Sequence, residues 1–179
     1  MYANINRATR PRTPAGFAVS ARGAVAEGFR AMKAAPFDGF PVKGSSEEIR
    51  QHVEQGIACV NAIREAVGPA VELMIDCHSF FDVPMAIDVA RRLEAANLAW
   101  YEEPVAPKRV AETLEIRRAI RQRMAGGEIL YAVDGFAPLC RDQAVHTIMP
   151  DPKHCGGLLE LTRIAAMAGV AQVELAAPG

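Results

Sequence analysis

Val71-Glu-Leu-Met-Ile-Asp76, Asn97-Leu-Ala-Trp-Tyr-Glu102 and Met124-Ala-Gly-Gly-Glu128 are three short runs, each closing on a carboxylate. Asp76 and Glu102 are 26 positions apart, and Glu102 and Glu128 are again 26 apart. That interval is about the length of one strand, one helix and their two loops, so the spacing predicts successive βα units. If the strands are parallel neighbours, the three acids converge at one end of the sheet. Like charges that close are unfavourable unless a cation sits between them. Hard oxygen ligands offered singly from separate strands suit Mg²⁺, which keeps its other positions for water and substrate. One acid after a strand reads equally well as a helix cap or a solvated loop charge. Three at one interval favour the shared cation.

The flanking sequence continues the alternation. Upstream, Tyr2-Ala-Asn-Ile5 is a strand candidate, Gly16 to Glu27 has helical spacing of Phe17, Ala21, Ala24 and Val25, and Gly28 ends that helix before Phe29-Arg-Ala-Met-Lys33. Lys33 thus closes a second strand. Ala34 to Gly44, with Pro36, Gly39 and Pro41, is expected to be an irregular loop long enough to cover a site. Ser46, Glu47 and Glu48 open a helix through Ile49, Val53, Ile57, Val60 and Ile63, which Gly68-Pro69 closes. Between the three acids, Asp82 caps a helix with Pro84 in its first turn that runs to about Ala96, and Val110 to about Gln122 is amphipathic. Downstream, a short helix is expected over Ala137 to Gln143, a strand over Val145-His-Thr-Ile-Met149 leading to Asp151, a helix from Gly156-Gly157 to about Ala168, and a last strand within Val170 to Leu175.

About seven strands alternating with five or six helices define an α/β chain of the (β/α) TIM-type barrel pattern, read as one domain over residues 1–179. A complete barrel takes roughly 250 residues, so the expectation is an incomplete barrel holding strands 1 to about 7. Half of the residues are hydrophobic, enough for a well-buried core. Lys and Arg number 20 against 21 Asp and Glu, interspersed to a net charge of −1, which excludes a basic stripe for nucleic acid or a polybasic membrane patch. No apolar run reaches the roughly 18 residues of a membrane span. Cys59, Cys77, Cys140 and Cys155 are widely separated, form no C-x-x-C pair and follow no secretory leader. They read as buried thiols of a reducing cytoplasm.

In order and spacing these motifs resemble the enolase superfamily, in the branch of the mandelate racemases, muconate lactonizing enzymes and acid-sugar dehydratases. The resemblance covers nearly the whole chain. Tyr2-Ala-Asn-Ile5 is similar to the first barrel strand and Phe29-Arg-Ala-Met-Lys33 to the second, where a lysine faces the substrate. Asp76-Cys-His78, Trp100-Tyr-Glu-Glu-Pro104 and Gly126-Gly-Glu128 resemble the segments that deliver the three Mg²⁺ ligands. By that resemblance Asp76, Glu102 and Glu128 bind the metal, with Mn²⁺ as an alternative. Met149-Pro-Asp-Pro-Lys-His-Cys-Gly-Gly157 is similar to the sixth-strand motif and places Asp151 where the family often has the acid of an Asp/His dyad.

The Asp-x-His form at the third strand resembles galactonate and mannonate dehydratases, in which the histidine is the general acid for a departing hydroxyl. Abstracting a proton beside a carboxylate creates an enediolate that cations stabilise, and hydroxide loss then needs a donor that titrates near neutrality. The resemblance therefore gives His78 the acid role. The alternative is a histidine merely hydrogen-bonded beside a ligand. Lys33 would pair with the substrate carboxylate or remove the α-proton, the ordinary alternative being a surface lysine. Lys153 and His154 could contact substrate or be solvated, Glu103 could do so or support its neighbour Glu102, and Asp38 and Lys43 could touch substrate from the loop after the second strand. The implied partner is a small hydroxylated sugar acid, and members of the family are usually homo-oligomers.

The chain departs from the family pattern in four places. Lys33-Ala-Ala35 lacks the second lysine of Lys-x-Lys, and Val170 to Gly179 has no histidine for the dyad. An N-terminal capping domain and an eighth strand are also absent from the sequence. The expectation is a partial barrel with exposed strand edges, prone to self-association and impaired in turnover as an isolated chain. Three readings follow: an acid-sugar dehydratase yielding a 2-keto-3-deoxy acid, a racemase or cycloisomerase sharing its enediolate, and a non-catalytic fragment or interaction module.

Overall fold

Leu73, Ile75 and Cys77 are fully buried on one side of the third strand, while Met74 and Asp76 alternate with them on the other. That double burial is what a parallel sheet covered by helices requires. The computed structural model describes residues 1–177 and arranges seven parallel strands in chain order. They are β1 (Ala3–Asn4), β2 (Ala31–Ala34), β3 (Glu72–Asp76), β4 (Trp100–Glu102), β5 (Met124–Gly126), β6 (Thr147–Ile148) and β7 (Glu174–Leu175). Among the described residues each strand pairs only with its neighbours in sequence. Six α-helices make the crossovers: α1 (Pro14–Ala26), α2 (Ser46–Val67), α3 (Val83–Arg92), α4 (Val110–Ala119), α5 (Ala132–Arg141) and α6 (Leu158–Val170). The result is the expected incomplete α/β barrel. Pro178 and Gly179, at the end of the Val170–Gly179 run, lie outside the described residues.

The core lies between the sheet and its helices. Phe17 and Ala21 of α1, Val60 and Ile63 of α2, Val89 and Ala90 of α3 and Ile116 of α4 meet Met32, Leu73, Ile75, Tyr101 and Met124 from the strands. Fully burying one such side chain contributes about 1.5–3 kcal/mol, so this layer is the main source of stability.

Capping fixes where the helices start. Thr13 accepts from Gly16 N, Asp82 accepts from Met85 N, and prolines occupy the first turns of α1 and α3, where no donor is lost. For α2 the cap is Ser45, one residue before the expected start, because Glu48 reaches back to the Ser45 amide and completes a capping box. The strands are shorter than their apolar runs suggest. Phe29 and Arg30 precede β2, and β5 stops at Gly126, so Glu128 lies beyond its strand rather than at its tip. The helix expected over Ala137–Gln143 instead starts at Ala132, with Pro138 inside it and Phe136, Leu139 and Cys140 on its buried face. Tyr131 at its start supplies no side-chain cap, and Val133 N instead donates to Glu160 Oε1 of α6 at 2.9 Å, a contact between distant segments that left the sequence no local start signal.

The loop between β2 and α2 is irregular, as its prolines and glycines imply, but it is packed down. Phe37 is fully buried and meets Phe81 edge-on, and Phe40 stacks on Phe80. A β-carbon added at Gly56 of α2 would lie 2.3 Å from the Phe37 ring, so only glycine leaves room for it. His52 Nε2 is 2.9 Å from the Phe37 carbonyl oxygen. Among the described residues no helix is long and apolar enough to cross a membrane, and all four cysteines are buried and unpaired.

Candidate active site

Register decides which side chains meet inside the sheet. Lys33 pairs with Met74 across β2 and β3, and Asp76 pairs with Glu102 across β3 and β4. Alternation therefore puts Lys33, Asp76 and Glu102 on the face away from the helices, at the C-terminal ends of their strands. All three are buried: 4 % exposed for Lys33, 3 % for Asp76 and none for Glu102. The Lys33 ammonium donates to Glu102 Oε1 at 2.8 Å, to Glu102 Oε2 at 3.0 Å and to Asp76 Oδ2 at 3.2 Å. Trp100 Nε1 donates to Glu102 Oε2 at 3.0 Å, and Tyr2 lies edge-on to Trp100.

The charges follow from this packing. Burial works against the Lys33 ammonium, but Glu102 and Asp76 outweigh it and raise its pKa well above the lysine range. Burial raises Asp76, yet the His78 hydrogen bond and Lys33 bring it down to about 2. Glu102 moves the other way, because burial and the nearby Asp76 push it up against the pull of Lys33. A buried cation shared by two carboxylates is thus the centre of the site. His78 stands at its edge. Its backbone amide donates to Asp76 Oδ1 at 3.0 Å, its Nε2 is 3.3 Å from Asp76 Oδ2, and its Nδ1 donates to Asp38 Oδ1 at 2.5 Å. Its φ of 46° is in the left-handed region. The bonds to Asp38 and Asp76, against burial, push its pKa up to about 10.

Glu128 arrives by a turn rather than a strand. Gly127, at φ 107°, swings the chain after β5 and donates its amide to Glu103 Oε1 at 2.6 Å. Glu103 is buried, and its Oε2 accepts from Ser79 Oγ at 3.2 Å. Both of its oxygens are engaged within the protein, so the structure places Glu103 behind the turn that presents Glu128 rather than at the mouth. A side chain at Gly126 would meet Glu103 Cγ at 2.9 Å, which explains the second glycine. Ligating atoms of Asp76, His78 and Glu128 come within 4.8 Å of one another. The structure thus joins Asp76 to Glu128 through one group and to Glu102 through the Lys33 ammonium. The group within reach of one ion is therefore two carboxylates and an imidazole, while both oxygens of Glu102 are held by Lys33; its carboxylate oxygens are hard donors of the kind that suits Mg²⁺ or Mn²⁺.

Asp151, Lys153 and His154, after β6, line a cleft of about 550 Å³ with Glu128, Ile129 and Arg7. Lys153 N donates to Asp151 Oδ1 at 2.8 Å, and the amides of His154 and Cys155 turn back to the Asp151 carbonyl oxygen. Arg7, Asn6 and Arg12 were not expected from the sequence. Asn6 Nδ2 donates to Asp38 Oδ2 at 2.8 Å, and Arg12 donates to Asn6 Oδ1 at 2.9 Å and to the Ala35 carbonyl at 2.6 Å. The available signal was position: all three follow β1 at the end of the barrel where active sites are built.

A half-barrel with buried acids and a cation at its strand ends defines a domain of the (β/α)-barrel class, with its charged groups at the end where barrel active sites are built. The chain belongs to the Enolase C-terminal domain-like family, whose pattern matches residues 16–178. It is 32% identical over 123 residues to D-galactarolactone cycloisomerase of Agrobacterium fabrum, covering 69% of this chain and 32% of that protein. It is 31% identical over 156 residues to D-galactonate dehydratase of Ralstonia pickettii, covering 85% of this chain and 41% of that protein. Among solved structures, L-talarate dehydratase from a Polaromonas species, complexed with Mg and L-glucarate, superposes with a TM-score of 0.80 at 28% identity over 93% of this chain and 43% of that one. The chain therefore spans less than half the length of each of these relatives.

Proposed function

We propose that the site belongs to a Mg²⁺-dependent acid-sugar dehydratase, which takes the α-proton from a hydroxylated sugar acid and expels the β-hydroxyl to give a 2-keto-3-deoxy acid. The observation that supports this best is the Lys33 ammonium held between Asp76 and Glu102 with His78 alongside. A dehydratase and a Mg-complexed relative among the similar proteins favour the same reading.

Asp76, Glu102 and Glu128 would hold the ion, with Mn²⁺ as the alternative. When bound there it supplies positive charge that stabilises the enediolate. The chain's own groups divide the remaining work. Two carboxylates keep Lys33 protonated, which suits it to pairing with a developing negative charge better than to removing a proton. His78, with a proton on each ring nitrogen, can give the one on Nε2 to the departing hydroxyl. Asp151 faces the cleft and is the candidate base, and Lys153, His154 and Arg7 would bind the substrate's polar end. Glu103 acts by fixing the turn before Glu128. The buried thiols support a reducing, cytoplasmic setting.

The test incubates the protein with Mg²⁺ and a panel of aldonic and aldaric acids. It reads 2-keto acid formation and, by proton NMR in D₂O, exchange at the α-carbon. A 2-keto product supports the dehydratase. Neither product nor exchange with any acid overturns it. A cycloisomerase is the second reading, favoured by the relative of that name. Exchange without loss of water, together with lactone consumption, would select it.

A further inference from the structure

We propose that Asp38 is the positioning residue for His78, setting the direction of the imidazole and holding a proton on Nδ1 so that Nε2 faces the reacting end of the site. The inference rests on the dehydratase reading for the use of His78, but its geometry stands alone. Asp38 Oδ1 accepts from His78 Nδ1 at 2.5 Å, while its Oδ2 accepts from Asn6 Nδ2 at 2.8 Å and lies 3.6 Å from the Arg12 guanidinium. Each carboxylate oxygen therefore meets a donor. The second oxygen is fixed by the loop after β1 and the first orients a side chain after β3, so Asp38 ties three barrel loops together.

The residue itself is anchored. Its neighbour Phe37 fills the notch at Gly56, Phe40 stacks on Phe80, and Asp38 N donates to the Ala35 carbonyl at 3.2 Å. The side chains of Asp38 and His78 remain partly open, at 29% and 36% exposure, so the pair lies at the surface of the barrel end rather than in the core. His78 sits at a positive φ, with its amide held by Asp76 Oδ1. Burial would raise the Asp38 carboxyl, but the donors from His78, Asn6 and Arg12 outweigh it and keep it ionised.

Two donors on one carboxylate make asparagine a discriminating substitution. In Asp38→Asn only one oxygen remains. If it turns to Asn6 and Arg12, the amide nitrogen faces His78 and donates to Nδ1, which then carries no proton and leaves the ring with the one on Nε2. The chain, labelled with ¹⁵N-histidine, is examined at one fixed pH, with the His78 signals assigned by their loss in His78→Gln. The expected result is a protonated Nδ1 in the native protein, an unprotonated Nδ1 in Asp38→Asn, and recovery in Asp38→Glu. Circular dichroism establishes that each variant is folded. If Asp38→Asn does not fold, Asp38→Glu and Asn6→Ala are compared instead, the latter expected to shift the His78 signals while leaving Nδ1 protonated. His78 signals identical in the native protein and every folded variant overturn the proposal. Where a sugar acid is turned over, Asp38→Asn should lower kcat by about 10–100-fold with KM little changed, and Asp38→Glu should regain part of it. The spectrum needs no turnover, so a chain that dehydrates nothing refutes the dehydratase reading without touching this one.

Discussion

The two sides of the barrel mouth are built differently. On the side of β1 to β4, Lys33, Asp38, Asp76, His78 and Glu102 are bonded to one another through side chains, and the loops beneath them are packed with Phe37, Phe40 and Phe81. On the side of β5 to β7, Asp151, Lys153 and His154 line an open cleft, and the strands below contribute two or three residues each. One side has its charges set before any ligand arrives. The other offers polar groups that water can reach. Preorganised groups suit steps where charge develops, and open ones suit selecting among substrates that differ in their hydroxyls.

If that contrast is right, the largest loss comes from the centre of the ordered side. Lys33→Met removes the cation between two buried acids and leaves their charges facing each other. The expected cost is on the order of 3–5 kcal/mol, because a buried pair deprived of one partner loses its compensation. A chemical denaturation curve would read it as a lowered midpoint. Restoration at low pH, where the acids are neutral, would tie the loss to charge rather than to shape.

Next comes the support of the same side. Gly56→Ala puts a β-carbon 2.3 Å from the Phe37 ring and should destabilise by about 1–3 kcal/mol, despite alanine being the better helix former. A thermal melt that rises on this substitution would mean that Phe37 is free to move, and the picture of a pinned loop would fail. Ser45→Ala, which breaks the capping box of α2, should cost about 1 kcal/mol.

These sites differ in how well the sequence announces them. The three acids at equal intervals, the Asp82 and Pro84 helix start and the buried apolar face of α2 are local patterns, and periodicity alone finds them. The equal interval is also where the reading misleads. Asp76 and Glu102 do pair in register, but Glu102 is followed in register by Ala125, and Glu128 reaches the site only because Gly127 turns the chain. Spacing counts residues along the chain and cannot tell a strand tip from a turn. Asn6 and Arg12 are silent for another reason, and Asp38, singled out only as a loop residue that could touch substrate, gives no sign of its tie to His78 for the same one. Their meaning lies in contacts between loops 23 to 40 residues apart, which no local pattern encodes. Gly56 did leave a trace, since a glycine inside a long capped helix is unfavourable unless something presses against it.

The smallest effect belongs to the open side and is the sharpest check of the comparison. Asp151→Asn and Lys153→Ala should each change stability by less than about 0.5 kcal/mol, as expected for solvated positions away from buried networks. The single bond from Lys153 N to Asp151 Oδ1 survives in the asparagine variant, whose amide oxygen can accept it. Yet both groups line the cleft that holds Glu128, so the same substitutions should weaken binding of a sugar acid by about tenfold or more if they contact it. Titration calorimetry and a thermal melt on one preparation separate the two quantities. A large fall in melting temperature from either substitution would show that this side is also internally bonded, and the division between a preset half and a selecting half would not hold.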